Sequence, residues 1–198
     1  MSYDIYAFRI LSPVVDSSAA SAFLETLEAT EESGTDDWTD EDRGRRDRIV
    51  AELRAHDPGL SVFEFDYAEI ARLQNISEDD ARARFQHAEL NPSESDLKEG
   101  RALAIQLTVQ REHVFVTAPY WYKGSDVDRL FGQLLGYLQL LRKTAGYIAY
   151  DPQTENAFDP LAVTALDSSK YREVVEMMPG IVGKADSSQN PKPWWHFW

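Results

Sequence analysis

Apolar side chains recur at two spacings along this chain, and each change of spacing predicts where one element gives way to the next. Residues 3–10 are rich in aromatic and β-branched types. They are apolar on both faces, Ile5 and Ala7 against Tyr6, Phe8 and Ile10, which predicts a central strand ended by Pro13. Asp16 or Ser17 is placed to cap a helix running to about residue 32, with Ala19, Ala20, Phe23, Leu24 and Leu27 on one face and Ser33-Gly34 as its stop. A polar loop leads to a second helix, about residues 42–55, that buries Ile49, Val50 and Leu53, and Asp57-Pro58-Gly59 forms a turn. Residues 61–66 alternate Phe63 and Phe65 with Val62 and Glu64, as a strand does. A short helix follows over residues 67–73. Ser77-Glu78-Asp79-Asp80, a Ser cap with an acid three residues on, opens another helix bearing Ala81, Phe85 and Ala88. Residues 91–100 read as a loop.

The second half carries the clearer signals. Leu103, Ile105, Leu107 and Val109 alternate with polar or small residues, as do Val114, Val116 and Ala118, so two strands flank Arg111-Glu112 as a hairpin. From Gly124-Ser125 onward Val127, Leu130, Phe131, Leu134, Leu135, Leu138 and Leu141 fall at helical spacing. Ser125 with Asp128 reads as the capping pair, Arg142 and Lys143 suit the negative end of the helix dipole, and Gly146 ends the helix. Residues 147–150 form a further strand, and residues 169–178 a last helix stopped by Pro179-Gly180. The fold class is therefore α+β, a single mixed, largely antiparallel sheet of about five strands packed by helices. Residues 1–183 make one domain, and residues 184–198 a polar linker with an aromatic end.

Composition narrows the class of protein. The chain of 198 residues is 43% hydrophobic, enough for a core, and has no apolar run long enough to span a bilayer. Its start lacks a basic segment followed by an apolar one, so no signal peptide is expected and the cytoplasm is the expected location. The absence of Cys excludes disulfides, thiolate metal sites and thiol nucleophiles. Charge is the informative quantity. Residues 1–100 hold 24 Asp and Glu against 10 Lys and Arg, which is the whole net charge of −14, whereas residues 101–198 hold 10 against 10. Such a field favours cationic partners and repels nucleic acid and anionic membrane surfaces. Nine carboxylates lie between Glu25 and Asp42 with no Lys or Arg among them, and Arg43, Arg45, Arg46 and Arg48 follow directly. Those arginines are better placed to answer the neighbouring acids than a phosphate.

Motifs for chemistry are sparse. Asp36-Asp37-Trp38-Thr39-Asp40 matches the Asp-Asp-x-x-Asp pattern that holds Mg²⁺–diphosphate in isoprenoid enzymes, but those enzymes are long helical bundles, and a solvated acidic loop is the plainer reading. An EF-hand counted from Asp36 fails, because Glu41 stands where Gly is required and Asp47 where Glu is required. His56, His87, His113 and His196 are too far apart for a zinc spacing, and neither a nucleophile elbow nor a phosphate loop occurs. No metal or cofactor is implied, and the chain is read as a non-enzyme. Glu64 and Asp66, two apart on one strand face, are the pair on which an alternative reading as a small enzyme with a cryptic carboxylate site would rest.

Two aromatic groups remain. Tyr120-Trp121-Tyr122 joins a strand to the strong helix; core capping is its plainer role and a partner interface its functional one. Trp194, Trp195, Phe197 and Trp198 end the chain. Burying one such ring stabilises by roughly 1.5–3 kcal/mol, while ordering each tail residue costs roughly 1–2 kcal/mol. The tail therefore docks only into a preformed apolar groove, on its own domain, on another protein, or on a second copy in a homodimer. A self-associating adaptor is the further alternative.

The opening MSYD, the run from Thr117-Ala118-Pro119-Tyr120-Trp121-Tyr122 to Tyr147-Ile148-Ala149-Tyr150-Asp151-Pro152-Gln153, and the Trp-Trp-x-Phe-Trp ending together resemble a group of small acidic bacterial proteins similar to immunity proteins of polymorphic toxin systems. The resemblance implies a protein that binds and neutralises a basic partner, such as a cognate toxin. The acidic segment supplies the candidate contacts: Asp36, Asp37, Asp40, Glu41 and Asp42, with Trp38 as an anchor.

Overall fold

The first strand lies near the middle of the sheet, as its two apolar faces require. In a computed structural model that describes residues 2–9, 15–32 and 38–177, β1 (Ser2–Phe8) pairs with β5 (His113–Pro119) on one side and β6 (Ile148–Asp151) on the other. The remaining strands are β2 (Leu60–Val62), β3 (Ala88–Pro92), β4 (Gln106–Val109) and β7 (Asn156–Phe158). Their order across the sheet is β2-β3-β4-β5-β1-β6-β7, and every pairing is antiparallel. The α+β class with one sheet holds. The sheet has seven strands rather than about five, and is antiparallel rather than mixed among the described residues.

The two added strands are β3 and β7. Ala81, Phe85 and Ala88 are spaced like one helical face, but the helix α4 (Glu78–Arg84) ends at Phe85, whose φ of −103° and ψ of 59° leave the helical region. Pairing on both sides, with Leu90 fully buried, makes a strand of a segment containing Asn91 and Pro92. The short β7 is set by the tight turn after Asp151, whose Oδ1 accepts the Gln153 N–H at 2.9 Å. Conversely, the strand expected over residues 61–66 stops at Val62. Asp66 instead accepts the Glu69 N–H as N-cap of α3 (Tyr67–Gln74), so Glu64 and Asp66 do not share a strand face. The expected loop over 91–100 contains a short helix, α5 (Glu94–Lys98), capped by Ser93.

Helices cover the sheet unequally. On one face Tyr3, Ile5 and Ala7, with Leu107, Val114 and Val116, pack against α2 (Asp40–His56), α6 (Ser125–Ala145) and α7 (Ser169–Met177). The fully buried aliphatics of α6, Leu130, Leu134 and Leu138, each contribute about 1.5–3 kcal/mol through burial. Gly146 ends that helix in the left-handed region, as expected. Its start differs: Gly124 is the N-cap with no side-chain bond, and Asp128 pairs with Arg172 rather than capping. On the opposite face α1 (Ser17–Glu32) packs Ala20 and Leu24 on Phe8, Ile148 and Tyr150. Beyond the Tyr6–Phe115 ring pair, the remaining residues of that face, Glu89, Asn91, Gln106, Thr108 and Thr117, are polar. No helix among the described residues is long and apolar enough to cross a membrane. The aromatic ending lies outside the described residues.

Candidate functional site

The turn at Asp57-Pro58-Gly59 delivers the chain from α2 into β2. Asp57 Oδ1 accepts the Gly59 N–H at 3.0 Å, and its other oxygen accepts from Gln133 at 3.1 Å and from the Tyr137 hydroxyl. β2 then pairs with β3 in the register Ser61 to Asn91 and Val62 to Leu90. Bonds from Ser93 N to Gly59 O and from Phe63 N to Glu89 O place the odd-numbered residues of β2 in the hydrogen-bonded positions. Antiparallel pairing alternates, so the N–H and C=O of Val62 point away from β3. Among the described residues β2 is also the last strand on its side of the sheet. Its outer side is therefore an edge able to accept another strand.

Beside this edge lies a cleft of about 240 Å³, lined by residues 61–64, from the end of β2 and just beyond it, and by residues 91–94, from the end of β3 to the start of α5. Asn91 is its unusual member. It is 5% exposed, and among the described residues neither its Oδ1 nor its Nδ2 has a hydrogen-bond partner. Leaving a buried polar group unsatisfied costs about 1–3 kcal/mol, and native structures seldom tolerate it without a reason. Val62 and Phe63 are exposed next to it. Phe63 begins a chain of rings, with Phe65 at 5.2 Å and His87 a further 4.9 Å on, and Phe85 closes against Phe65 at 5.7 Å. These rings form the base of the α3–α4 hairpin, where Arg82 lies 4.5 Å over the Tyr67 ring, and Leu73, 67% exposed, lies at the opposite end of α3. Glu69 and Glu78 are paired with Arg72 and Arg82. Among the described residues Glu64 and Asp79 have no ion-pair partner.

The acidic segment singled out by sequence is partly structural. Asp36 and Asp37 lie outside the described residues. Asp40 is fully exposed and pairs with Arg43 at 3.0 Å, and Glu41 is exposed. Asp42 closes a capping box with Thr39 and pairs with Arg45 at 2.8 Å. Burial pushes its carboxyl up, but the hydrogen bonds from Thr39 and the Arg45 and Arg111 charges outweigh that and hold it below the usual range. Trp38 is only 7% exposed and lies under the Arg46 guanidinium at 5.6 Å, so its ring faces inward rather than standing out as an anchor. The arginine cluster is engaged internally as well. Arg43 donates to Gln86, Arg45 to the Arg111 carbonyl, and Arg46 to the Gln86 carbonyl and Asp47.

Tyr120 and Tyr122 serve the core. Tyr120 stacks on Tyr171 at 5.0 Å, the Tyr122 hydroxyl accepts the Ala104 N–H at 2.6 Å, and Tyr171 donates to the Pro119 carbonyl at 2.6 Å. Burial pushes the Tyr120 and Tyr171 hydroxyls up to about 12. Trp121, 43% exposed, is the member presented to solvent. Sequence reasoning missed Asn91 because it was read in a loop; the signal for the cleft was the pair of aromatic positions Phe63 and Phe65 beside Glu64.

A second cavity, about 110 Å³, lies between α1 and the sheet, lined by Tyr6, Leu24, Leu27, Thr108, Gln110, His113 and Phe115. Burial pushes His113 down to about 4, so its imidazole is neutral at pH 7. Burial raises Asp4, which accepts from Ser2 at 3.1 Å and lines neither cavity. Tyr3 donates to the buried Asp151 at 2.5 Å. No group of three metal-ligating side chains occurs among the described residues. These features define an α+β protein with a seven-stranded antiparallel sheet and an acidic cleft at one edge. Comparison with protein-family models, curated proteins and solved structures gives no match.

Proposed function

We propose that this chain is a non-enzymatic binding protein, immunity-like in kind, that captures a basic protein partner such as a cognate toxin in the cytoplasm. One observation supports the reading above the others. At the β2 margin the exposed apolar side chains Val62 and Phe63 stand beside Glu64, a carboxylate with no ion-pair partner among the described residues, and Glu94. Apolar anchors with a rim of one charge suit a partner surface of the opposite charge, which would cover the apolar atoms and neutralise the rim. The arginines after the acidic run do not cancel this, because Arg43, Arg45 and Arg46 are held by Asp40, Asp42, Gln86 and the Arg111 carbonyl. A homodimer through the same margin would set like charges against each other.

The test is capture of the product of the adjacent gene by the full chain at low and at high salt, with a variant in which Asp40, Glu41, Glu64 and Asp79 are changed to Lys. Asp42 is left alone because it caps α2. The expected result is a complex with the wild type that weakens as salt rises, no complex with the variant, and the same far-UV circular dichroism for both. Undiminished capture by the variant, or no capture by the wild type, would overturn the reading.

A further inference from the structure

The cleft beside β2 has three properties that converge on one ligand chemistry. First, Val62 offers an outward N–H and an outward C=O on the terminal strand. This is the complete hydrogen-bonding complement of one residue of a partner strand. Second, Asn91, only 5% exposed, lines the cleft with a donor and an acceptor that none of the described residues satisfies. An amide matches another amide: its Nδ2 donates to a carbonyl while its Oδ1 accepts an N–H or a side-chain cation. Third, the cleft wall includes Glu64, a carboxylate with no partner among the described residues, and Glu94, which Lys98 holds at 2.8 Å.

We propose, resting on the basic-partner reading above, that this cleft receives an extended cationic segment of the partner protein as an eighth strand of the sheet. The segment's backbone pairs with Val62 on the outer side of β2, a long side chain of the segment crosses Ser61 to bring its amide or cation to Asn91 on β3, and a Lys or Arg lies against Glu64. Peptide recognition of this kind takes its affinity from main-chain bonds and its specificity from the pockets beside them. Charge selects this occupant. An anionic ligand would face Glu64 and Glu94, and a second copy would bring the same two carboxylates to its own, within a molecule of net charge −14.

The experiment titrates an acetylated and amidated peptide of alternating Lys and Val into the ¹⁵N-labelled full chain. Two control peptides accompany it: one with Glu for Lys, and one with alternate backbone amides methylated. The Lys peptide is expected to shift the Asn91 side-chain NH₂ and the Val62 amide with one saturable affinity. The Glu peptide should shift neither, and methylation should weaken binding roughly tenfold or more, since main-chain pairing is lost. On the protein side, Asn91→Leu is expected to hold or raise the unfolding midpoint, because it removes an unsatisfied polar group. It should still weaken the Lys peptide roughly tenfold. Val62→Pro interrupts only the outward edge, so it should fold and bind weakly. Unshifted Asn91 resonances, equal binding of Lys and Glu peptides, indifference to methylation, or wild-type affinity in Asn91→Leu would each overturn the proposal. If Asn91→Leu and Val62→Pro still capture the partner while the four-site Lys variant does not, this mode of binding falls and the basic-partner reading stands. If all of them capture it, both fall.

Discussion

His113 shows how burial decides the chemistry of a single residue. Its ring lies in β5 against Tyr6 at 5.9 Å and in the wall of the smaller cavity, and burial lowers its pKa from 6.5 to about 4. The unfolded chain therefore takes up a proton near pH 6.5 that the folded chain refuses until about pH 4. The stability due to this residue is fully present above pH 6.5 and is lost as pH falls toward 4. The difference corresponds to about 3 kcal/mol by linkage. Asp4 acts in the opposite sense, since burial raises its pKa and its folded form gains as pH falls. Urea unfolding at pH 7 and pH 4.5 separates the two: His113→Gln is expected to lose much less stability over that interval than the wild type, and an equal loss would remove His113 as the cause. Sequence placed His113 correctly in a strand, since that follows from its alternating neighbours. It did not show Asn91, because the isolation of that amide exists only once β3 is clasped between β2 and β4.

At the scale of elements, local chemistry that closes on itself was legible, and structure imposed from a distance was not. The box at Ser77 with Asp80 needs four consecutive residues and forms as expected, while the equally local box of Thr39 with Asp42 starts α2 at Asp40 rather than at residue 42. The apolar stripe of α6 is likewise local, and all seven of its predicted residues, Val127 to Leu141, are buried. β3 owes its form to partners well separated along the chain, so Asn91-Pro92 concealed it, whereas β7 pairs locally with β6 and its three residues, beginning at Asn156, are too short to show a pattern. The start of α6 is the instructive failure. Gly124 holds φ 57° and ψ −131°, and no heavy atom beyond its neighbours lies within 4 Å of where a Cβ would be. An alanine there has room but the wrong backbone preference, so its penalty is conformational rather than steric. Gly124→Ala is expected to destabilise the protein by about 1–3 kcal/mol, read as a lowered unfolding midpoint. An unchanged midpoint would mean that the turn re-forms without strain.

Topology distributes the charge asymmetry of the sequence over both ends of the sheet. β1 comes from the acidic half yet sits beside β5 and β6, so the halves are interleaved at the centre. The stretch from α2 to α5, by contrast, supplies β2 and β3 and the helices beside them, and it holds 16 Asp and Glu against 9 Lys and Arg in residues 40–100. Residues 101–177 hold 9 against 8, and they build β4 to β7 with α6 and α7. The end of the sheet with the unpaired edge and its cleft is thus acidic, and α1, with four Glu and no Lys or Arg, adds negative charge over β6 and β7 at the other end. A field arranged this way acts mainly before contact: it guides a cation toward the edge and then adds less once short-range bonds form. Screening tests the division, because the Debye length falls from about 10 Å at 0.1 M salt to about 3 Å at 1 M. For the alternating Lys and Val peptide the association rate should fall several-fold over that range, while the dissociation rate changes little. Glu64→Gln with Asp79→Asn should slow association at low salt and match the wild type at 1 M, whereas Val62→Pro should speed dissociation at every salt concentration. Should salt act instead on dissociation, the carboxylates would be making close contacts in the complex rather than steering toward it, and the edge would cease to be the source of its lifetime.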